Sequence, residues 1–198
     1  MSSDPYLFLG LGLILLVLLT GLGLYNRLVR ARERTREAWS GIDVQLRRRA
    51  NLIPNLVDTV KGYAGHERAT FEEVTRARSG LVEAAGAADT AEANGRLNRA
   101  LERLLALAEA YPKLKASAHF LALQADLFDT EEKIAYARQF YNRNVATLNT
   151  RIRTIPHALV ARIFGFEPFE FFATEEGEGE ALRISLEPGP EPPIREPT

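Results

Sequence analysis

The chain has 198 residues and a net charge of −1, enough for one domain with appendages and no sign of a polyanionic partner. It contains no cysteine, which excludes disulfides, zinc ribbons and thiol catalysis. The neutral total conceals a split: eight arginines face three carboxylates between Arg27 and Ile53, whereas nine glutamates face Arg183 and Arg195 between Glu167 and Thr198. One end of such a chain sits near something anionic and the other is solvated.

Residues 1–5 form a short segment with no Lys or Arg. Tyr6 to Tyr25, YLFLGLGLILLVLLTGLGLY, then runs 20 residues without a charge. At about 1.5 Å per residue this matches roughly 30 Å of bilayer hydrocarbon. Thirteen of these residues are Leu, Ile, Val or Phe, which amounts to about −4 to −8 kcal/mol gross for insertion. A cleaved signal peptide would need a positive start and a small-x-small cleavage site after the apolar run; the start has no Lys or Arg, and Tyr25-Asn26-Arg27 follows the span. The sequence therefore predicts a retained transmembrane helix over 6–25. Its anchoring residues are Tyr6, Leu13, Leu16 and Tyr25, followed by Arg27 and Arg30 at the headgroups. The arginines immediately after the span predict an N-terminus outside, a cytosolic bulk and a single-pass place in the cell membrane. Gly10, Gly12, Gly21 and Gly23 form neither a nucleotide fingerprint nor a GxxxG face.

Residues 26–172 are expected to form the folded domain. Trp39, Leu46, Ile53 and Val60 fall seven apart, flanked by Ile42, Leu56 and Tyr63, a stripe of the core-facing kind that continues through Phe71, Val74 and Leu81. Pro54 interrupts this stripe, where its missing donor and its clash with the carbonyl of Ala50 cost about 3 kcal/mol in a regular helix. Because the apolar phase carries across it, a kinked but continuous helix is expected. On another face, Asn51, Asn55 and Asp58 are spaced to meet Asn142 and Asn149, which would place a polar cluster inside the bundle and fix its register.

A turn is predicted near 84–89, with Asp89 or Thr90 as the next helix cap. Leu97, Leu101, Leu104, Ala108 and Tyr111 form a second amphipathic helix that ends at Tyr111-Pro112. Phe120, Leu127, Ile134, Tyr141, Leu148 and Ile155 give a third stripe; a capping box at Asp129 and Glu132 would split it, whereas its unbroken heptad phase argues for continuity. The expected fold is all-α: one transmembrane helix, then an antiparallel bundle of three to four long helices with coiled-coil-like packing. Residues 173–198 are Glu-, Gly- and Pro-rich and read as a disordered acidic tail, with one short candidate strand at Leu182, Ile184 and Leu186.

Three blocks, REAWSGIDVQLRRRANLIPNLVDTVKGYAGHE (36–67), HFLALQADLFDTEEKIAYARQFYNRNVATLNTRIRTIP (119–156) and GFEPFEFF (165–172), resemble the LemA family. The resemblance implies a cytoplasmic-membrane protein with an antiparallel four-helix bundle and no established catalytic activity. It also implies that membrane proteins, a membrane metalloprotease among them, are candidate partners, and that membrane organisation is the role in one magnetosome-associated branch. It carries no catalytic residues.

The residues themselves show no chemistry of their own. His66, His119 and His157 are scattered, HExxH is incomplete at His66, and P-loop and nucleophile-elbow motifs are missing. No catalytic, metal or cofactor residue is expected, the chain is not read as an enzyme, and nucleic acid is not an expected partner. Glu131 and Arg138, beside Gln124, read as a flanking ion pair, and Arg49 as a stem packed on the stripe with its head escaping to solvent. Leu159, Ile163, Phe166, Phe169, Phe171 and Phe172 form an apolar run that either completes the bundle or serves as a docking patch. The expectation is a membrane-anchored helical scaffold that recruits or organises other membrane proteins, with membrane lipid as a contact. The alternative is a membrane-tethered signalling or regulatory relay.

Overall fold

The computed structural model describes residues 5–173, and these form six helices with no strand among the described residues. Most of the expected outer segment 1–5 and nearly all of the tail 173–198, with its candidate strand, lie outside the described residues.

Helix α1 (Pro5–Lys61) is a single element of 57 residues, about 85 Å long at 1.5 Å per residue. Its first five turns, up to Gly23, are largely unpacked: Leu13, Leu16 and Leu19 are each about 60 % exposed. This helix is long and apolar enough to cross a membrane. From Leu28 onward one side becomes buried, through Ile42, Leu46, Ile53, Leu56 and Val60. Helix α2 (Arg68–Glu83) and helix α3 (Ala87–Glu109) form a hairpin beside it. A short α4 (Pro112–Lys115) leads to the 36-residue α5 (Ala118–Arg153), followed by α6 (His157–Ile163).

The most extensive packing joins α1 to α5. These helices are antiparallel, since Arg48 meets Asp129 at one level and Arg151 reaches the carbonyl of Arg27 at another. Likewise Arg103 of α3 pairs with Glu73 of α2 at 2.6 Å. Four long helices thus share one core, in which Phe71, Val74, Leu97, Leu104, Phe120, Ile134 and Val145 join the α1 stripe. A second, small apolar cluster of Leu28, Val160 and Ala161 lies where α6 packs on α1, with Leu24, Tyr25 and Phe166 against it.

Several local expectations are settled or corrected. At Asp129, where the sequence leaves two readings open, α5 is continuous, as its heptad phase argues, and the carboxylate accepts from Lys133 and Arg48 rather than capping a new helix. The α2–α3 turn is capped by Gly86, at φ 85°, a backbone region that favours glycine. Asp89 instead reaches back to accept from the backbone N–H of Ala85 at 2.8 Å. Both long stripes also stop earlier than their periodicity: Tyr63 and Ile155 lie beyond the ends of α1 and α5 and are exposed.

Candidate functional site

The proline in the middle of α1 is answered by an arginine on α2. Pro54 has no N–H to give to the carbonyl of Ala50, which in a buried helix would be left orphaned. Arg78 Nε donates to that carbonyl at 2.7 Å. The helix runs on through Pro54 to Lys61. The break in the backbone ladder becomes a tie between two helices, and the sequence alone gives no sign of the donor.

The expected polar cluster inside the bundle does not form. Asn51, Asn55 and Asp58 lie on the exposed side of α1, as does Pro54. The apolar stripe determines this, because a face four residues wide cannot bury both Ile53–Leu56–Val57 and the positions between them. Asn142 and Asn149 are half-buried on α5, and their partner is the chain after α6. Asn149 accepts from the N–H of Phe169 and donates to its carbonyl, both at 2.9 Å. Asn142 does the same to Phe172, at 2.9 and 3.1 Å. Tyr141 adds a hydrogen bond to the carbonyl of Glu170 at 2.8 Å.

The spacing explains why two asparagines seven apart serve this purpose. Seven helical residues rise about 10.5 Å, and three extended residues cover about 10 Å. Each amide offers one acceptor and a donor pair, the same fork that a neighbouring strand would offer. An extended strap at residues 169–172 is thereby hydrogen-bonded without a sheet. Gly165, at φ 65°, reverses the chain to begin it, and the N–H of Phe166 closes on the carbonyl of Ala161 in a Schellman-type end to α6. Burial and the charge of Glu170 push the Tyr141 phenol up to about 12.

Arg49 is buried and its head does not escape. Its Nη1 lies 2.6 Å from Glu131 on α5 and donates to Asn94 on α3 at 3.1 Å. Burial lowers the guanidinium pKa, and the carboxylate of Glu131 opposes that. Glu131 is thus drawn inward to Arg49. Three helices are joined by this group, beside an open cleft of about 600 Å³ that also receives Asn98, Gln124 and Phe128.

The expected docking patch divides. Phe172 is fully buried, 6.2 Å from Trp39 between ring centroids. Phe169 packs on the main core, and Phe166 packs against Tyr25 and beneath Arg32. These three pack within the fold, Phe172 fully and the other two in part. Leu159 and Ile163 are exposed, as is Phe171. Of the anchoring residues, Tyr6, Leu13 and Leu16 are exposed on the unpacked half of α1, while Tyr25 is half-buried under Phe164 and Phe166. Arg27 and Arg30 follow it on the surface. Among the described residues no group of three His, Asp or Glu side chains is placed to hold a metal ion.

The chain is 29 % identical over 174 residues to the magnetosome protein MamQ of Magnetospirillum gryphiswaldense, and 28 % identical to MamQ 2 of Paramagnetospirillum magneticum. Each match takes in 75 % of this chain and 64 % of the relative, so the chain spans less than two thirds of the curated relatives it matches. The profile described as the LemA family matches residues 38–186, from the packed half of α1 past the strap. The chain is a member of the LemA family.

Proposed function

We propose that this protein is a single-pass membrane scaffold: α1 crosses the bilayer with its N-terminus outside, and the bundle recruits or organises membrane proteins on the cytosolic side. The observation that carries the reading is the continuity of α1. One helix is apolar on all sides where it is unpacked and forms the spine of the bundle core where it is packed. A bundle built on such a helix is held at a fixed height above the lipid and keeps its outer faces open to other proteins. Those faces carry large exposed apolar residues on α5, among them Phe128, Tyr136 and Phe140, of the kind found at protein contacts. The arginine-rich flank after the span supports the orientation. The reading includes no catalytic role. The similarity to MamQ favours organisation of a membrane compartment, and the family resemblance makes a membrane metalloprotease one partner to look for.

Proximity labelling from an enzyme fused to the C-terminus, combined with cross-linking in isolated membranes, tests this. Specific membrane proteins should be captured, and the capture should fall when Phe128 and Tyr136 are changed to serine. Recovery of only lipid and the protein itself would overturn the scaffold. Cleavage of the C-terminal region by protease added outside intact cells would overturn the orientation.

A further inference from the structure

A second basic feature lies closer to the bilayer than the bundle core. Arg27, Arg30 and Arg34 are spaced three and four apart on α1 and share one face of that helix. Arg151 of α5 and His157 of α6 close the other side, enclosing an open pocket of about 290 Å³. Five side chains from three helices thus line one small space, and none of them is acidic. Among the described residues no carboxylate is paired with any of these four arginines, whereas Glu33 nearby is taken by Arg32 and Arg36. The His157 Nε2 is buried with no hydrogen-bond partner among the described residues. Burial, then the charges of Arg151 and Arg27, hold its imidazole below the usual range. The pocket is an uncompensated positive concavity whose lining includes a histidine with an unpartnered ring nitrogen, a setting suited to a bound anion.

Its position identifies the source of the anion. Arg27 and Arg30 follow Tyr25 by two and five residues, or about 3 and 7.5 Å along the helix, which is the depth of a headgroup layer of roughly 5–7 Å. Helix α6 packs on α1 at the same level, and the Phe164 ring lies 4.7 Å from that of Tyr25. The outward side of this region is apolar: Leu159, Ile163 and Phe164 are all more than half exposed. Apolar residues beside a basic pocket, at the end of a span, match the layered chemistry of a phospholipid at the interface.

We propose that Arg27, Arg30, Arg34, Arg151 and His157 bind the phosphate of an acidic phospholipid, while Leu159, Ile163 and Phe164 rest at its acyl boundary. The proposal depends on α1 being the membrane span but not on the scaffold role. One headgroup would bridge α1, α5 and α6, joining the base of the bundle to the leaflet.

The test uses the full chain in a neutral detergent, with bound lipids counted by native mass spectrometry as phosphatidylglycerol, phosphatidylcholine or inorganic phosphate is added. One saturable phosphatidylglycerol site is expected, with phosphatidylcholine much weaker and inorganic phosphate unable to displace it at equal concentration. Arg151→Gln and Arg34→Gln should each weaken it roughly fivefold, the loss expected for one arginine at a charged lipid surface. Arg153→Gln, on the same turn but outside the pocket, should leave it intact. Both altered residues are solvent-accessible, and unchanged circular dichroism would show that the variants fold. Equal binding of the two lipids, or no loss in either pocket variant, would overturn the proposal. Displacement by inorganic phosphate would overturn the lipid assignment. Because the titration is done outside cells, failure here is distinct from failure of α1 to anchor the chain, which membrane fractionation reads directly.

Discussion

The two halves of α1 belong to one continuous helix, yet they are built for different surroundings. In the outer part the apolar residues surround the helix and those from Leu11 to Leu19 are exposed, a surface suited to hydrocarbon rather than water. In the inner half the apolar residues keep to one stripe and the opposite side carries Asn51, Asn55 and Asp58. Even its irregularities are provided for, with Pro54 answered by Arg78 and Arg49 by Glu131 and Asn94. Both the density of apolar residues and their arrangement around the helix separate the two halves.

The sharpest way to break the comparison is to damage each half separately. Leu56 is fully buried, and Leu56→Ala should cost the bundle about 2–5 kcal/mol in denaturant unfolding, with its membrane fraction unchanged. Leu16→Arg should cost about 3 kcal/mol of insertion, read as a shift toward the soluble fraction, with bundle unfolding unchanged. If either variant moves both readings together, the halves are not independent.

The buried ion pair sharpens the contrast within the inner half. Glu131→Ala leaves the Arg49 charge buried with only Asn94 and should cost about 2–3 kcal/mol. Arg49→Met leaves a carboxylate that is already half exposed and should cost less than half as much. Equal losses in thermal unfolding would contradict this account of which partner needs the other.

Asn149→Ala removes two hydrogen bonds from the strap and should cost about 1–2 kcal/mol. Asn142→Ala should do similarly, and the pair together should cost less than the sum, because a strap freed at one end loses much of its hold at the other. Trp39, 6.2 Å from Phe172, provides the fluorescence signal. A smaller effect, about 1 kcal/mol, is expected for Arg78→Met. It should disappear in a Pro54→Ala background, where residue 54 again donates to Ala50. Persistence of the full loss there would mean that Arg78 acts by packing alone.

The weakest effect is alkaline. The Tyr141 pKa is raised in the folded chain to about 12, above the free phenol value of about 10. The unfolded chain therefore loses its proton first, so the contribution of Tyr141 is complete below pH ~10 and is lost as pH rises toward ~12. Tyr141→Phe should flatten that part of the stability curve. A curve identical to wild type would remove Tyr141 from the account.

Much of the fold was legible because burial follows helical period: the stripes through Ile53, Leu101 and Ile134 all reach the core. Ends were less legible, since a period carries no stop signal, and Tyr63 and Ile155 were read one turn too far. The α2–α3 connection was placed correctly, but its cap was missed because a glycine with positive φ displaced the side-chain cap. The asparagine pair was visible as a pair, with the wrong partner. Its actual partner is the strap at residues 169–172, 20 and 30 residues away, and only three-dimensional proximity reveals it. Arg49 was misplaced for a related reason, because Asn94 falls within a stretch where the Ala- and Gly-rich sequence had lost its pattern.

The matched rulers of helix and strap have a consequence for tolerance to change. The asparagine amides grip main-chain atoms of Phe169 and Phe172 and are indifferent to the residues between, so replacements at Glu170 or Phe171 should leave the grip in place. Adding or removing a single residue there puts the two scales about 3.3 Å out of step, and both forks then miss their targets. For this segment spacing counts for more than side-chain identity, except at Phe169 and Phe172, whose rings pack on the core.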